Sequence, residues 1–320
     1  MSKLAPVLVD FAALAESYLL ACRAENKSPQ TVQWYEHKLR GFLTWLTDQE
    51  GVRAVDAVTP ELVRRFLDHL RGPDPWHGSQ FQPTRPVAQR SPATIRGYAQ
   101  VIKGFYSWLE REGHLPSHPL AKLRMPKVPD TLIRPLDPAE MRQLLGAPDT
   151  RMVSGLRDAA MLSIFLDCGL RVSELVGLRL SDVGHGDLTV TGKGSKRRVV
   201  GFGTATQRAL NRWLTVRAAL ADEHEPHIFV SEEGRPLSKH AVEKQVRQLA
   251  QRAGLRRVWP HLLRHTFAVS FLRAGGDAFT LQKLLGHTTL ETTKLYVYLA
   301  GCDVLEVYRR ASPLDHLRRV

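Results

Sequence analysis

A mainly α-helical fold in two domains, with one small β-hairpin in the second, is predicted by three features of this 320-residue chain. Helix starts of the form Ser-Pro or Thr-Pro stand at Ser28, Thr59 and Ser91, each followed by apolar residues at helical spacing. A stretch dense in proline and basic residues separates two halves at 116–135. In the second half, DLTVTG and RRVVGF alternate Val and Thr with polar residues and flank the turn GKGSK, the pattern of a hairpin.

The first half reads as four helices. Apolar residues recur at helical spacing from Val9 to about Cys22. Ser28 caps a second helix that starts at Pro29 and runs to about Gln49. Thr59-Pro60-Glu61 repeats the signal, with Leu62, Val63, Phe66, Leu67 and Leu70 as a buried stripe. Ser91-Pro92 opens the fourth, containing Ile95, Tyr98, Ile102, Phe105 and Trp108. Together they predict a compact bundle over residues 1–115. One link is longer than bundle loops usually are: GPDPWHGSQFQPTRPVAQR at 72–90. It is either functional, through Trp76, His77, Phe81, Arg85 and Arg90, or a tolerated surface insertion.

Residues 116–135 hold Pro116, Pro119, Pro126, Pro129 and Pro135 among Lys122, Arg124, Lys127 and Arg134, and read as a semi-extended linker, passive or DNA-tracking. The second domain, 136–320, is mostly helical. In MLSIFLDCGLRVSEL a helix turns at Gly169 and restarts near Arg171, so that the glycine lets the guanidinium face inward. Glu174 follows three residues later, in reach of Arg171. In HLLRHTFAVSFLRAGG, His261 and Arg264 stand at i and i+3 on one helical face, while His265 lies at a neighbouring angle and reads as structural. In LQKLLGHTTLETTKLYVYL, Gly286 is a helix C′ residue and Thr288 with Glu291 forms a capping box, which sets His287 at a helix junction. Tyr296 then falls about two and a half turns into the next helix. Val304, Leu305, Val307, Tyr308 and Leu314 make a short apolar helix in the tail 301–320.

Composition narrows the function. Apolar residues make up 43% of the chain, enough for a core in each domain. The formal net charge is +13, of which the larger share lies beyond residue 130, so the surface field attracts polyanions, with nucleic acid as the leading partner. Cys22, Cys168 and Cys302 are too few and too scattered for a disulfide framework or a zinc site, and fit a reducing cytoplasm. The N-terminal apolar run is interrupted by Asp10 and Glu16, so neither an export signal nor a membrane span is expected. GKGSK fails the P-loop pattern both in spacing and in the residue after its lysine.

The second domain thus brings two arginines, two histidines and a phenol, without a carboxylate cluster, which is an inventory for attacking a phosphodiester without a metal. The order GLR, GKGSK, H-x-x-R, LLGH and a tyrosine nine residues later resembles the tyrosine recombinase (phage integrase) family, and within it the Xer-type recombinases. The resemblance covers nearly the whole chain. It implies an N-terminal four-helix core-binding (SAM-like) domain, the tyrosine recombinase catalytic fold, no cofactor or metal, and a catalytic set of Arg171, Lys193, His261, Arg264, His287 and Tyr296, the last as nucleophile. It also implies double-stranded DNA with inverted half-sites as partner, no membrane, and a tetramer on that DNA, of this chain alone or with a related recombinase. The chain departs from related proteins in the 72–90 insertion and in Tyr298, where a histidine is common. Both a chromosome-dimer resolvase and a recombinase of a phage or mobile element stay open. Two other readings remain, a type IB topoisomerase using the same side chains and a DNA-binding protein without the chemistry.

Overall fold

In the computed structural model the described residues are 11–72, 90–129, 133–192, 196–286, 296–298 and 300–301. The chain divides into two compact units, Met1–Thr131 and Leu132–Val320.

The first unit is built on α1 (Phe11–Ala24), α2 (Pro29–Glu50), α3 (Pro60–His69) and α4 (Pro92–Arg111). Each proline-led start forms as the sequence predicts. The hydroxyls of Ser28, Thr59 and Ser91 accept the backbone N–H of Thr31, Leu62 and Thr94. Such a cap contributes about 1 kcal/mol and fixes where each helix begins. Gly51, at φ 64, ends α2 in the left-handed conformation. The predicted stripes meet in an aromatic core: Phe42 lies 5.0 Å from Phe66, and Phe66 5.5 Å from Tyr98, in tilted or edge-on pairs. After α4 the proline-rich segment packs back onto this unit. Leu120 and Leu123 are buried, and Lys103 Nζ donates to the carbonyls of Ala121 and Leu123 at 3.1 and 3.3 Å. Of the 72–90 loop, only Gly72 and Arg90 fall within the described residues.

The second unit contains α5 (Pro138–Leu145), α6 (Val153–Cys168), α7 (Val172–Val176), the strands β1 (Asp187–Thr191) and β2 (Arg197–Gly201), α8 (Thr204–Arg217), α9 (Lys239–Arg252), α10 (Pro260–Arg273) and α11 (Ala278–Leu285). Its centre is α6, whose Ala160, Leu162, Ile164, Phe165 and Cys168 are fully buried, and which packs against α5, α8 and α10. Each fully buried Leu, Ile or Phe side chain contributes about 1.5–3 kcal/mol, so this helix is the rigid base for the segments that follow it. Trp213 Nε1 donates to the Ile228 carbonyl at 2.9 Å and anchors α8. The hairpin is antiparallel, with Asp187 opposite Gly201 and Thr191 opposite Arg197. Leu188, Val190 and Val200 point into the core, whereas Val199 is outward. The hairpin tip at 193–195, residues 287–295 and the tail 302–320 lie outside the described residues.

Candidate active site

The site begins where α6 stops. Gly169 takes φ 62 and its N–H closes the last turn on the Phe165 carbonyl. A Cβ at this position would stand 2.2 Å from the Phe267 ring, so glycine is required both by the backbone angle and by the close approach of α10. Two residues later Arg171 caps α7. Its backbone N–H donates to Glu174 Oε2 at 2.8 Å and its Nη1 to Glu174 Oε1 at 2.7 Å. The predicted pairing therefore forms, but not as a surface ion pair, because the Glu174 side chain is only 3% exposed.

Glu174 has a second partner that the sequence did not disclose. Arg198 on β2 donates Nη1 and Nη2 to Oε1 and Oε2 of the same carboxylate, each at 2.9 Å, and its Nε donates to the Leu284 carbonyl at 2.6 Å. Burial opposes ionisation of Glu174; the Arg198 fork and the Arg171 main chain and guanidinium outweigh it and hold the carboxyl below its ordinary value. In such a buried pair, loss of either partner leaves an uncompensated charge, so Glu174 and the guanidinium groups around it depend on one another.

Arg264 approaches from α10 and is almost completely buried, at 1% exposure. Its Nη1 donates to the Gly169 carbonyl and its Nη2 to the Leu285 carbonyl, both at 2.7 Å, and Nη1 lies 3.9 Å from Glu174 Oε2. Burial and the neighbouring Arg171 charge push the guanidinium down to about 10, so it remains cationic at neutral pH. His261, one turn earlier, is exposed and lines a cleft of about 700 Å³ with Arg171, Trp259, Arg247 and Arg257. Partial desolvation there, followed by the charges of Arg264, His265 and Arg171, lowers its pKa below the ordinary 6.5, which keeps the imidazole neutral at pH 7.

Tyr296 lies in a helical turn at 296–298 and is 6% exposed. Burial raises its phenol above the ordinary value, against the opposing attraction of Arg264 and Arg171. Its ring centroid is 5.1 Å from that of His265, whose Nε2 is 2.7 Å from the Ile133 carbonyl, so His265 has the structural role expected of it. Tyr298, by contrast, is 75% exposed.

The structure thus gathers Arg171, Arg264 and Tyr296 within mutual electrostatic reach, with His261 beside Arg171 in the cleft. Lys193 and His287 lie outside the described residues. Sequence reading missed Arg198, although a signal existed: it shares strand parity with buried Val200, while Arg197 and Val199 alternate outward. Among the described residues, no group of three or more His, Cys, Asp or Glu could hold a metal ion. Fixed cations beside a buried phenol suit a phosphate diester, whose oxygens the guanidinium groups can neutralise while the phenol attacks phosphorus.

Two family models match the chain, the Phage integrase family over residues 134–301 and the Phage integrase N-terminal SAM-like domain over 15–113. The tyrosine recombinase XerC of Xanthomonas axonopodis pv. citri (strain 306) is 35% identical over 305 residues, covering 93% of this chain and 96% of that protein. The protein of the same name from Chromohalobacter salexigens is 35% identical over 289 residues, covering 90% and 92%. The structure of a XerH site-specific recombinase bound to palindromic difH substrate as a post-cleavage complex matches with a TM-score of 0.71 over 95% of this chain and 85% of that one, at 22% identity, a likeness of fold.

Proposed function

Because this chain belongs to the phage integrase family, we infer that it is a tyrosine-type site-specific DNA recombinase, which cuts and rejoins DNA strands through a covalent bond to its own tyrosine. The observation that supports the assignment of roles is that Arg171, Arg264 and the buried Tyr296 lie within electrostatic reach of one another. In our reading, Arg171 and Arg264 bind the non-bridging oxygens of the scissile phosphate, with His287 as a further donor, and neutralise the charge that builds up at the pentavalent transition state. Each such donor contributes roughly 10²- to 10³-fold in rate.

Tyr296 Oη forms the new bond to phosphorus as the bond to the 5′ oxygen breaks. The phenolic proton passes to neutral His261, and Lys193 supplies a proton to the departing 5′ oxygen. The product is a 3′-phosphotyrosyl enzyme and a free 5′ hydroxyl. Since one phosphodiester has been exchanged for another, a 5′ hydroxyl from a second duplex can reverse the step and join new strands without ATP. Residues 1–115 act as the core-binding domain, 116–135 connect, and 136–320 form the catalytic domain with its tail. The partners are double-stranded DNA with inverted half-sites and further protomers in a tetramer, in the cytoplasm. No helix among the described residues is long and apolar enough to cross a membrane.

Identity over nearly the full length of named recombinases favours this reading over a topoisomerase or a non-catalytic DNA-binding protein. The test is recovery of covalent protein–DNA adducts after detergent quenching, using DNA that flanks the gene. A recombinase gives adducts at one pair of inverted half-sites. Dispersed adducts support a relaxing enzyme, and binding without adducts contradicts the chemistry.

A further inference from the structure

Arg198 has no place in the chemistry described above, yet its guanidinium is where three segments of the site converge. It holds both carboxylate oxygens of Glu174, and Glu174 in turn holds the Arg171 side chain and main chain. It holds the Leu284 carbonyl at the C-terminal end of α11, next to the Leu285 carbonyl that Arg264 holds. Two glycines leave room for it. A Cβ on Gly286, at φ 64, would lie 3.3 Å from Arg198 Nη1, and one on Gly192 would lie 3.5 Å from the same nitrogen. Gly192 immediately precedes Lys193 and Gly286 immediately precedes His287.

We propose that Arg198 is a positioning residue for strand cleavage, which acts chiefly by fixing Glu174 and, through it, the Arg171 guanidinium, while it ties the lysine-bearing hairpin to the end of α11. This rests on the recombinase reading. Arginine is required because the task needs a planar fork for one carboxylate and a third N–H directed at a carbonyl; lysine keeps the charge but offers neither the fork nor the fixed angle. A side chain with 13% exposure, whose three guanidinium nitrogens are all engaged by Glu174 and Leu284, is placed to alter the rate through the groups it orients.

The test is single-turnover adduct formation on a DNA substrate that traps the covalent complex, with DNA affinity and thermal melting measured alongside. Arg198→Lys is expected to bind DNA within threefold of the parent protein and to melt cooperatively, but to form adduct about 100-fold more slowly, the loss associated with a small misplacement of a catalytic group. In an Arg171→Ala background the same substitution is expected to slow the reaction by less than tenfold, because the group it positions is gone. Arg198→Gln, which also loses the charge, is expected to follow the same pattern. If the effect of Arg198→Lys is undiminished in the Arg171→Ala background, or if both variants lose the cooperative melt, Arg198 is a stability residue and the inference fails. A rate within threefold of the parent also defeats it. Absence of adduct in the parent protein, by contrast, overturns the recombinase reading itself.

Discussion

Arg264 donates to the carbonyl of Gly169 at 2.7 Å, and this bond joins α10 to the turn that leads from α6 to Arg171. Gly169 is the left-handed stop of α6, two residues before Arg171, and the Phe267 ring of α10 rests against its α-carbon. The turn that presents Arg171 and the helix that presents Arg264 are therefore held at one point. Gly169→Ala adds a Cβ that clashes with Phe267 and is disfavoured at φ 62. We expect a loss of at least about 2 kcal/mol, measured by denaturant unfolding, together with a fall in strand cleavage larger than the loss of folded protein explains.

Arg264→Lys keeps a positive charge in α10 but cannot reach both the Gly169 and Leu285 carbonyls. Leaving one buried carbonyl without its donor costs about 1–3 kcal/mol. Cleavage should fall roughly 10²- to 10³-fold, as for loss of one transition-state donor. DNA binding at low salt, which depends on the wider positive surface, should change little. Single-turnover cleavage and a filter-binding isotherm on the same preparation check both expectations.

Glu174 makes stability depend on acidity. Its carboxyl is held below the ordinary 4.5, so its ionised form stabilises the fold above that pH, and this contribution is lost as the pH falls from the mid-fours through the lower folded-state value. Subtracting the unfolding free energies of Glu174→Gln from those of the parent protein across this window should give a difference that is large at pH 7 and shrinks on acidification. A difference that does not change with pH would show that Glu174 is not held as an anion by Arg198 and Arg171.

His261 sets the expected pH profile of cleavage. Its pKa lies below 6.5, so it is neutral and able to accept a proton at pH 7. The Tyr296 phenol is raised above 10.0 by burial and needs such an acceptor. The rate of adduct formation should be nearly flat between about pH 7 and 8 and should decline tenfold per unit below the His261 midpoint, itself under 6.5. His261→Ala should be slower and should lack this acid limb; a retained limb would assign it to another group.

Much of this architecture is legible in the chain. Ser28-Pro29, Thr59-Pro60 and Ser91-Pro92 mark helix starts because a hydroxyl cap and a proline at the first position satisfy local constraints that no distant contact overrides. Gly169 and Gly286 announce helix ends for an equally local reason, and both take positive φ. The motifs taken together also single out Arg171, Arg264 and Tyr296, which lie within electrostatic reach of one another in the fold. What escaped sequence reading depends on long-range pairing. Arg198 meets Glu174 across 24 residues and Leu284 across 86, so only the parity of its strand hinted that it points inward. For the same reason the i, i+3 spacing put Glu174 in reach of Arg171 without disclosing that it is a buried carboxylate between two arginines. The packing of Leu120 and Leu123 onto the first unit was hidden by surrounding prolines, which signal extended chain without saying what it lies against.

In the proposed reaction the nucleophile is the buried Tyr296, and not the exposed Tyr298 two residues later. The most direct measurement is to trap the covalent complex, digest both protein and DNA, and locate the phosphotyrosyl-nucleotide by peptide mass spectrometry. The expected result is modification on Tyr296, its loss in Tyr296→Phe, and its persistence in Tyr298→Phe. A nucleotide found on Tyr298, or cleavage that survives Tyr296→Phe, would contradict it.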